Sequence, residues 1–180
     1  MNKPKHQKQV IFATGNIPFI MKSFSAILVL VLALIGSFTA CKTHQAMPVN
    51  QKPIIEIITG PCFGTCPVYE LKVYENGILW FNGQQFCNKT GEWLKKGSKN
   101  QLAEVLSIYE HLNFDELSSH YDNSSVSDMP SINLILRKNE KVKNIVCRWE
   151  CPAEINNLIS QLEKLRNLKG WEKIETDLEN

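Results

Sequence analysis

From residue 54 onward the apolar positions recur at two spacings, and the switches between them mark the elements. Residues 54–59 (IIEIIT) form a short apolar run of strand length. Tyr69, Leu71 and Val73 then alternate with Glu70, Lys72 and Tyr74, the period of a half-buried strand. Asn76-Gly77 follows and predicts a type I′ hairpin, because both residues tolerate positive φ. The return strand is GILWFNG, residues 77–83, and a fourth strand is expected from Gln85 through Cys87 toward Trp93. The aromatics Trp80, Phe81, Phe86 and Trp93 are expected to be mostly core. Alternation puts Trp80 and Phe81 on opposite faces, which leaves one of them available for binding.

The period changes at Ser98. With Gln101 three residues on, it makes a capping box, and Leu102, Val105, Leu106, Tyr109 and Leu112 share one helical face. A short helical turn is expected over residues 114–117. SINLILRK and KVKNIVCRW read as a second hairpin around Asn139-Glu140. Pro152 suits the first position of a last helix, whose apolar stripe is Ile155, Leu158, Ile159, Leu162 and Leu165. Gly170 is expected to cap that helix, with Trp171 folding back on its end. The fold class that follows is α+β, an antiparallel sheet of hairpins with two to three helices packed on it.

The N-terminal region changes the picture of where the chain works. Residues 26–35 (AILVLVLALI) are ten apolar residues, too few to span a bilayer, which takes about 20. They match the hydrophobic region of a signal peptide, and Met21-Lys22 would open one of ordinary length. Cleavage near Ala40 would release a soluble protein. A cysteine directly after the small-residue stretch favours the other processing, in which Phe38-Thr39-Ala40-Cys41 resembles the lipobox of bacterial lipoproteins, with Phe38 in place of the usual Leu. That resemblance implies lipidation of Cys41 and attachment to a membrane. The expected organisation is a signal region over 1–40, a lipidated cysteine and tether over 41–52, one domain over 53–170 and a tail over 171–180. Four of the 20 basic residues and none of the 18 acidic ones precede residue 41, so the remainder carries a net charge of −2. No basic surplus is left to favour nucleic acid as a partner.

GPCFGTCPVYELKVYENGILWFNG, followed by LNFDELSSHYD and SDMPSINLILR, resembles an uncharacterised bacterial envelope lipoprotein family, the domain of unknown function 6438. The resemblance implies an exported domain without an established activity. Cys62, Cys66, Pro67 and Tyr69 fall on its signature positions, whereas Cys87, Cys147 and Cys151 are additions to it.

Five cysteines besides Cys41 are candidates for disulfides, namely Cys62, Cys66, Cys87, Cys147 and Cys151. An exported chain meets an oxidising compartment, so pairing is the default, and an odd number leaves one thiol over. Gly64 lets C-F-G-T-C close on itself, and Cys147 can pair with Cys151 or across to the first loop. The alternative is chemical. Two C-x3-C pairs could hold zinc, or act in redox exchange with Cys151 at a helix N-terminus. His120, Asp122, Ser124, Ser125, Ser127 and Asp128 crowd one stretch, but nothing there resembles a nucleophile elbow. No phosphate-cradling glycine loop or dinucleotide fingerprint occurs. The expectation is a non-enzymatic binding or structural role in the envelope, with no cofactor, a membrane contact through lipid, and an envelope protein or ligand as partner.

Overall fold

The structure is a computed structural model, and it describes residues 50–123, 125–126 and 128–175. The apolar run at 26–35, Cys41 and the tether up to residue 49 lie outside the described residues, as do Ser124 and Ser127. Ten elements follow in order: β1 (Ile55–Thr59), β2 (Val68–Val73), β3 (Ile78–Gln85), β4 (Gly91–Lys96), α1 (Lys99–His111), β5 (His120–Tyr121), β6 (Ile132–Lys138), β7 (Lys141–Cys147), α2 (Ala153–Arg166) and β8 (Glu172–Lys173). All eight strands join one sheet in the order β5-β7-β6-β1-β2-β3-β4-β8.

The sheet is mixed, which corrects the expected antiparallel sheet of hairpins. β5 runs parallel to β7, with His120 opposite Val146 and Tyr121 opposite Cys147, while the other ladders are antiparallel. The central β1–β6 pair is no hairpin either, since β2, β3, β4, α1 and β5 intervene in the chain. Two-residue strands such as β5 and β8 contain no alternation, so no period announces them. There are two helices among the described residues, because residues 114–116 form only a turn.

Register sorts the side chains. Ile57 opposes Leu71 and Leu134, Leu71 opposes Phe81, and Leu134 opposes Ile145, so these side chains share one face. The buried stripes of α1 (Leu102, Val105, Tyr109) and α2 (Ile155, Leu158, Leu162, Leu165) join them in a single core. Both helices therefore cover one face, which keeps the architecture α+β in the broad sense. The other face holds a smaller cluster of Tyr74, Trp80 and Leu94, together with a charged group around Glu56. Phe81 and Trp80 do lie on opposite faces, yet both are buried.

The Ser98–Gln101 capping box opens α1. At α2, Pro152 stands at the N-cap, one position before the expected site, and helix bounds commonly shift by that much. Gly170 has φ +80° but follows the helix cap, Asn167, by three residues. It turns the chain so that Trp171 packs on the Phe81 ring, 5.8 Å between centroids, and β8 pairs with β4 beyond it.

The two hairpin turns exchange roles. Only Gly77 has positive φ in the first, where Gly77 N–H donates to the Tyr74 carbonyl and Tyr74 N–H to the Ile78 carbonyl. That is a type I turn closed by a glycine bulge, with Asn76 Oδ1 accepting from the Ile78 amide. In the second, Asn139 (φ 48°) and Glu140 (φ 66°) are both left-handed between the paired Lys138 and Lys141, the type I′ geometry. Glu140 has no chemistry that suits it to this region. Glu140→Gly should raise stability by about 0.5–1 kcal/mol by removing the left-handed strain, read as a higher denaturation midpoint at unchanged slope.

Candidate binding surface

Strand register places four connections at one end of the sheet. Thr59, Tyr69, Gly83 and Gly91 lie in one row across β1 to β4, and Thr59, Ile132 and Cys147 continue it through β6 and β7. Beyond this row lie the β1–β2 loop, the β3–β4 loop, the β5–β6 segment and the β7–α2 loop. Both disulfides are here, Cys62–Cys66 and Cys147–Cys151, each joining Cα atoms 5.8 Å apart. Cys87 is the free cysteine among the described residues.

Each bridge spans four residues of sequence separation. Loop-closure entropy for so short a ring is worth about 2 kcal/mol, whereas cross-pairing the two loops would have been worth about 4.5 kcal/mol. The bridges stiffen two loops rather than join the two halves of the sheet. They also separate the four sulfurs of the zinc reading. Cys66 leads into β2 and Cys147 ends β7, with β1 and β6 between them, about 14 Å at one strand spacing each. Four thiolates of a tetrahedral site must lie within about 2.3 Å of one ion, which this pairing precludes.

The same end carries most of the exposed large apolar side chains among the described residues. Phe63 at the tip of the first disulfide loop is 85% exposed, Phe86 58%, Met129 43% and Trp149 37%. Phe86, expected in the core, instead occupies a turn at φ 53°, because β3 stops at Gln85 and β4 starts only at Gly91. A cleft of about 380 Å³ opens beside the second disulfide, walled by Met129, Pro130, Ile132, Trp149 and Ile159. Nothing in the hydropathy pattern marks these side chains as exposed. The available signal was their position, since aromatics inside disulfide-closed or positive-φ turns cannot reach the core.

The loops are held from below. Tyr69 O–H donates to Glu163, and Arg166 braces the same carboxylate, Nε at 2.9 Å and Nη2 at 2.6 Å, while its guanidinium stacks 4.8 Å above the Tyr69 ring. Burial, then the hydrogen bond to Glu163, push the Tyr69 hydroxyl far above its ordinary pKa, so it stays a donor. α2 is thus tied to β7 at its start by Cys147–Cys151 and to β2 at its end. Asp122 receives Arg148 bidentately, at 2.6 and 2.9 Å, and that hydrogen bonding holds its carboxyl below the usual range. The pair clips the segment after β5 to the loop after β7. Asp122 therefore serves Arg148, and Ser125 N–H caps an Asx turn on Asn123. A serine–histidine–aspartate relay is not assembled among the described residues.

A larger cavity, about 600 Å³, lies at the opposite end against Lys52, Glu75, Tyr109, Glu110, Arg137 and Lys138. Three of its basic side chains are engaged in ion pairs: Lys138 with Glu110 at 3.0 Å, Arg137 with Glu56, and Lys141 with Asp115 at 2.9 Å. The chain also enters the domain here, with Ile54 N–H on the Val73 carbonyl and Arg137 Nη1 on the Pro53 carbonyl.

Residues 53–166 match the family model of the domain of unknown function DUF6438. The chain belongs to this family. No curated protein and no solved structure matches it. In this DUF6438 domain, Cys62, Cys66 and Pro67 lie at the loop-bearing end and Tyr69 directly beneath it, so the residues that carried the resemblance sit together in space.

Proposed function

We propose that the chain is exported, anchored to a bacterial envelope membrane by lipid on Cys41, and works as a non-enzymatic binding module whose loop-bearing end receives an apolar surface of an envelope protein. One observation carries the binding half. Among the described residues, four of the five exposed large hydrophobic side chains sit at one end of the sheet, Phe63 and Trp149 on loops closed by disulfides, while Val142 lies at the other. Exposed aromatics on stiffened loops lose little entropy when covered, which suits association. The envelope half rests on the apolar run 26–35 followed by Cys41 and on two disulfides, which persist in oxidising compartments. The chain enters the domain at the end opposite the loops, where Ile54 N–H meets the Val73 carbonyl.

A photo-crosslinking residue at position 63, carried by the full chain in cells, is expected to give a discrete adduct that Trp149→Ser weakens at least fivefold. The same probe at Val142 should give none. Equal adducts at both positions would remove the binding surface. Cys41→Ala is expected to shift the chain out of the membrane fraction, and retention there would remove the anchor.

A further inference from the structure

Cys87 is placed against a neighbouring strand. Its half-buried sulfur donates to the Val68 carbonyl at 3.3 Å and to the Gln85 carbonyl at 3.2 Å. Val68 and Gln85 are themselves the last opposed pair of the β2–β3 ladder. Cys66 lies two residues before Val68, and Cys87 two residues after Gln85. The ladder ends at that pair, since Phe86 turns at φ 53°, but the Cys87 sulfur on the Val68 carbonyl stands two residues along the chain from Cys66. Two residues of chain span at most about 7 Å, which puts Cys66 within a short loop movement of the about 4.4–6.8 Å between Cα atoms that a disulfide needs. Cys147–Cys151 is out of range, because β7 stands four strand spacings from β3, about 19 Å.

We propose that Cys87 exchanges with the Cys62–Cys66 disulfide, making this loop a thiol-operated latch. The Cys87 thiolate attacks Cys66 Sγ. The Cys66–Cys87 bond forms as the Cys62–Cys66 bond breaks, and Cys62 leaves as a thiolate that takes up the proton Cys87 released. One disulfide and one thiol exist before and after, so neither an oxidant nor a reductant is consumed. The exchange opens the ring that holds Phe63 and moves the thiol from a half-buried turn to Cys62, beside the exposed loop tip. It stands independently of what the loop-bearing end binds, since thiol positions alone decide it.

The test uses the full chain exported to an oxidising compartment and purified without reductant. In Cys62→Ser, Cys66 and Cys87 are expected to pair, so alkylation labels none of Cys66, Cys87, Cys147 and Cys151, and non-reduced digestion yields a Cys66–Cys87 peptide. Two labels, on Cys66 and Cys87, overturn the proposal. A second measurement does not depend on that variant folding. Wild-type protein held with an alkylating agent should accumulate label on Cys62 as well as Cys87, one label in total per molecule. Label confined to Cys87 throughout overturns the exchange.

Discussion

Replacing Gly83 with alanine is expected to cost about 3–5 kcal/mol, enough to unfold a marginally stable domain. A Cβ at this position would lie 1.9 Å from the Lys89 carbonyl oxygen and 3.0 Å from its carbon, with the Phe81 ring also at 3.0 Å. The obstacle is backbone, so no rotamer change relieves it. Relief requires the β3–β4 loop to move away, and that loop is held at both ends: Gly83 pairs with Gly91, and Lys89 Nζ reaches the Arg166 carbonyl at the end of α2. Either the loop shifts and loses those contacts, or β3 bends and disturbs Tyr69 opposite. Chemical denaturation should show a midpoint far below wild type, or no folded baseline. Gly91→Ala is the contrast. Its Cβ meets nothing within 4 Å, although φ is +80°, so the cost should stay near the 1–2 kcal/mol of a left-handed alanine. A similar loss for the two variants would mean that the close approach at Gly83 is not what matters.

Removing Arg137 while leaving Glu56 should be the second large effect, about 2–4 kcal/mol. Glu56 belongs to a central strand and is only 7% exposed, on the face without helices. Arg137 Nη1 binds its carboxylate directly, and Lys72 stands farther off at 3.9 Å while bonding Glu70 at 2.8 Å. Arg137→Met keeps the apolar stem of the side chain and its packing but removes the guanidinium, leaving the carboxylate with a distant, shared cation. The double variant Glu56→Leu, Arg137→Met removes both charges together and should recover at least half of the loss, because a buried pair contributes less than the penalty for orphaning one partner. A double-mutant cycle in urea separates the two terms. Additive single and double losses would show that Glu56 is stable without its arginine.

How much of this was legible in the sequence depended on whether a period existed to be read. Tyr69, Leu71 and Val73 face the core as their alternation requires, and the α1 and α2 stripes are buried as their spacing requires. β5 and β8 escaped because two residues carry no period, and with β5 went the parallel pair that makes the sheet mixed. Turn chemistry misled at Asn76-Gly77. The dipeptide can adopt the type I′ turn, but the ladder closing at Tyr74 and Ile78 leaves room for a third loop residue, so glycine supplies a bulge instead. Asn139-Glu140, with no glycine, makes the turn because the register of Lys138 and Lys141 leaves exactly two residues between the strands. For the cysteines, composition and compartment argue pairing but not partners. The choice depends on which loops end up adjacent, and β1 and β6 come to lie between the two C-x3-C segments only through long-range strand order.

The position of β1 has a mechanical consequence. The chain enters the domain directly into the strand that is bonded on both flanks, to β2 and to β6, over all five of its residues. Tension arriving from the N-terminal side therefore runs along the strand axis and loads two ladders in shear at once, so their hydrogen bonds must fail together rather than peel one by one. An edge strand at the same point of entry would load only one ladder.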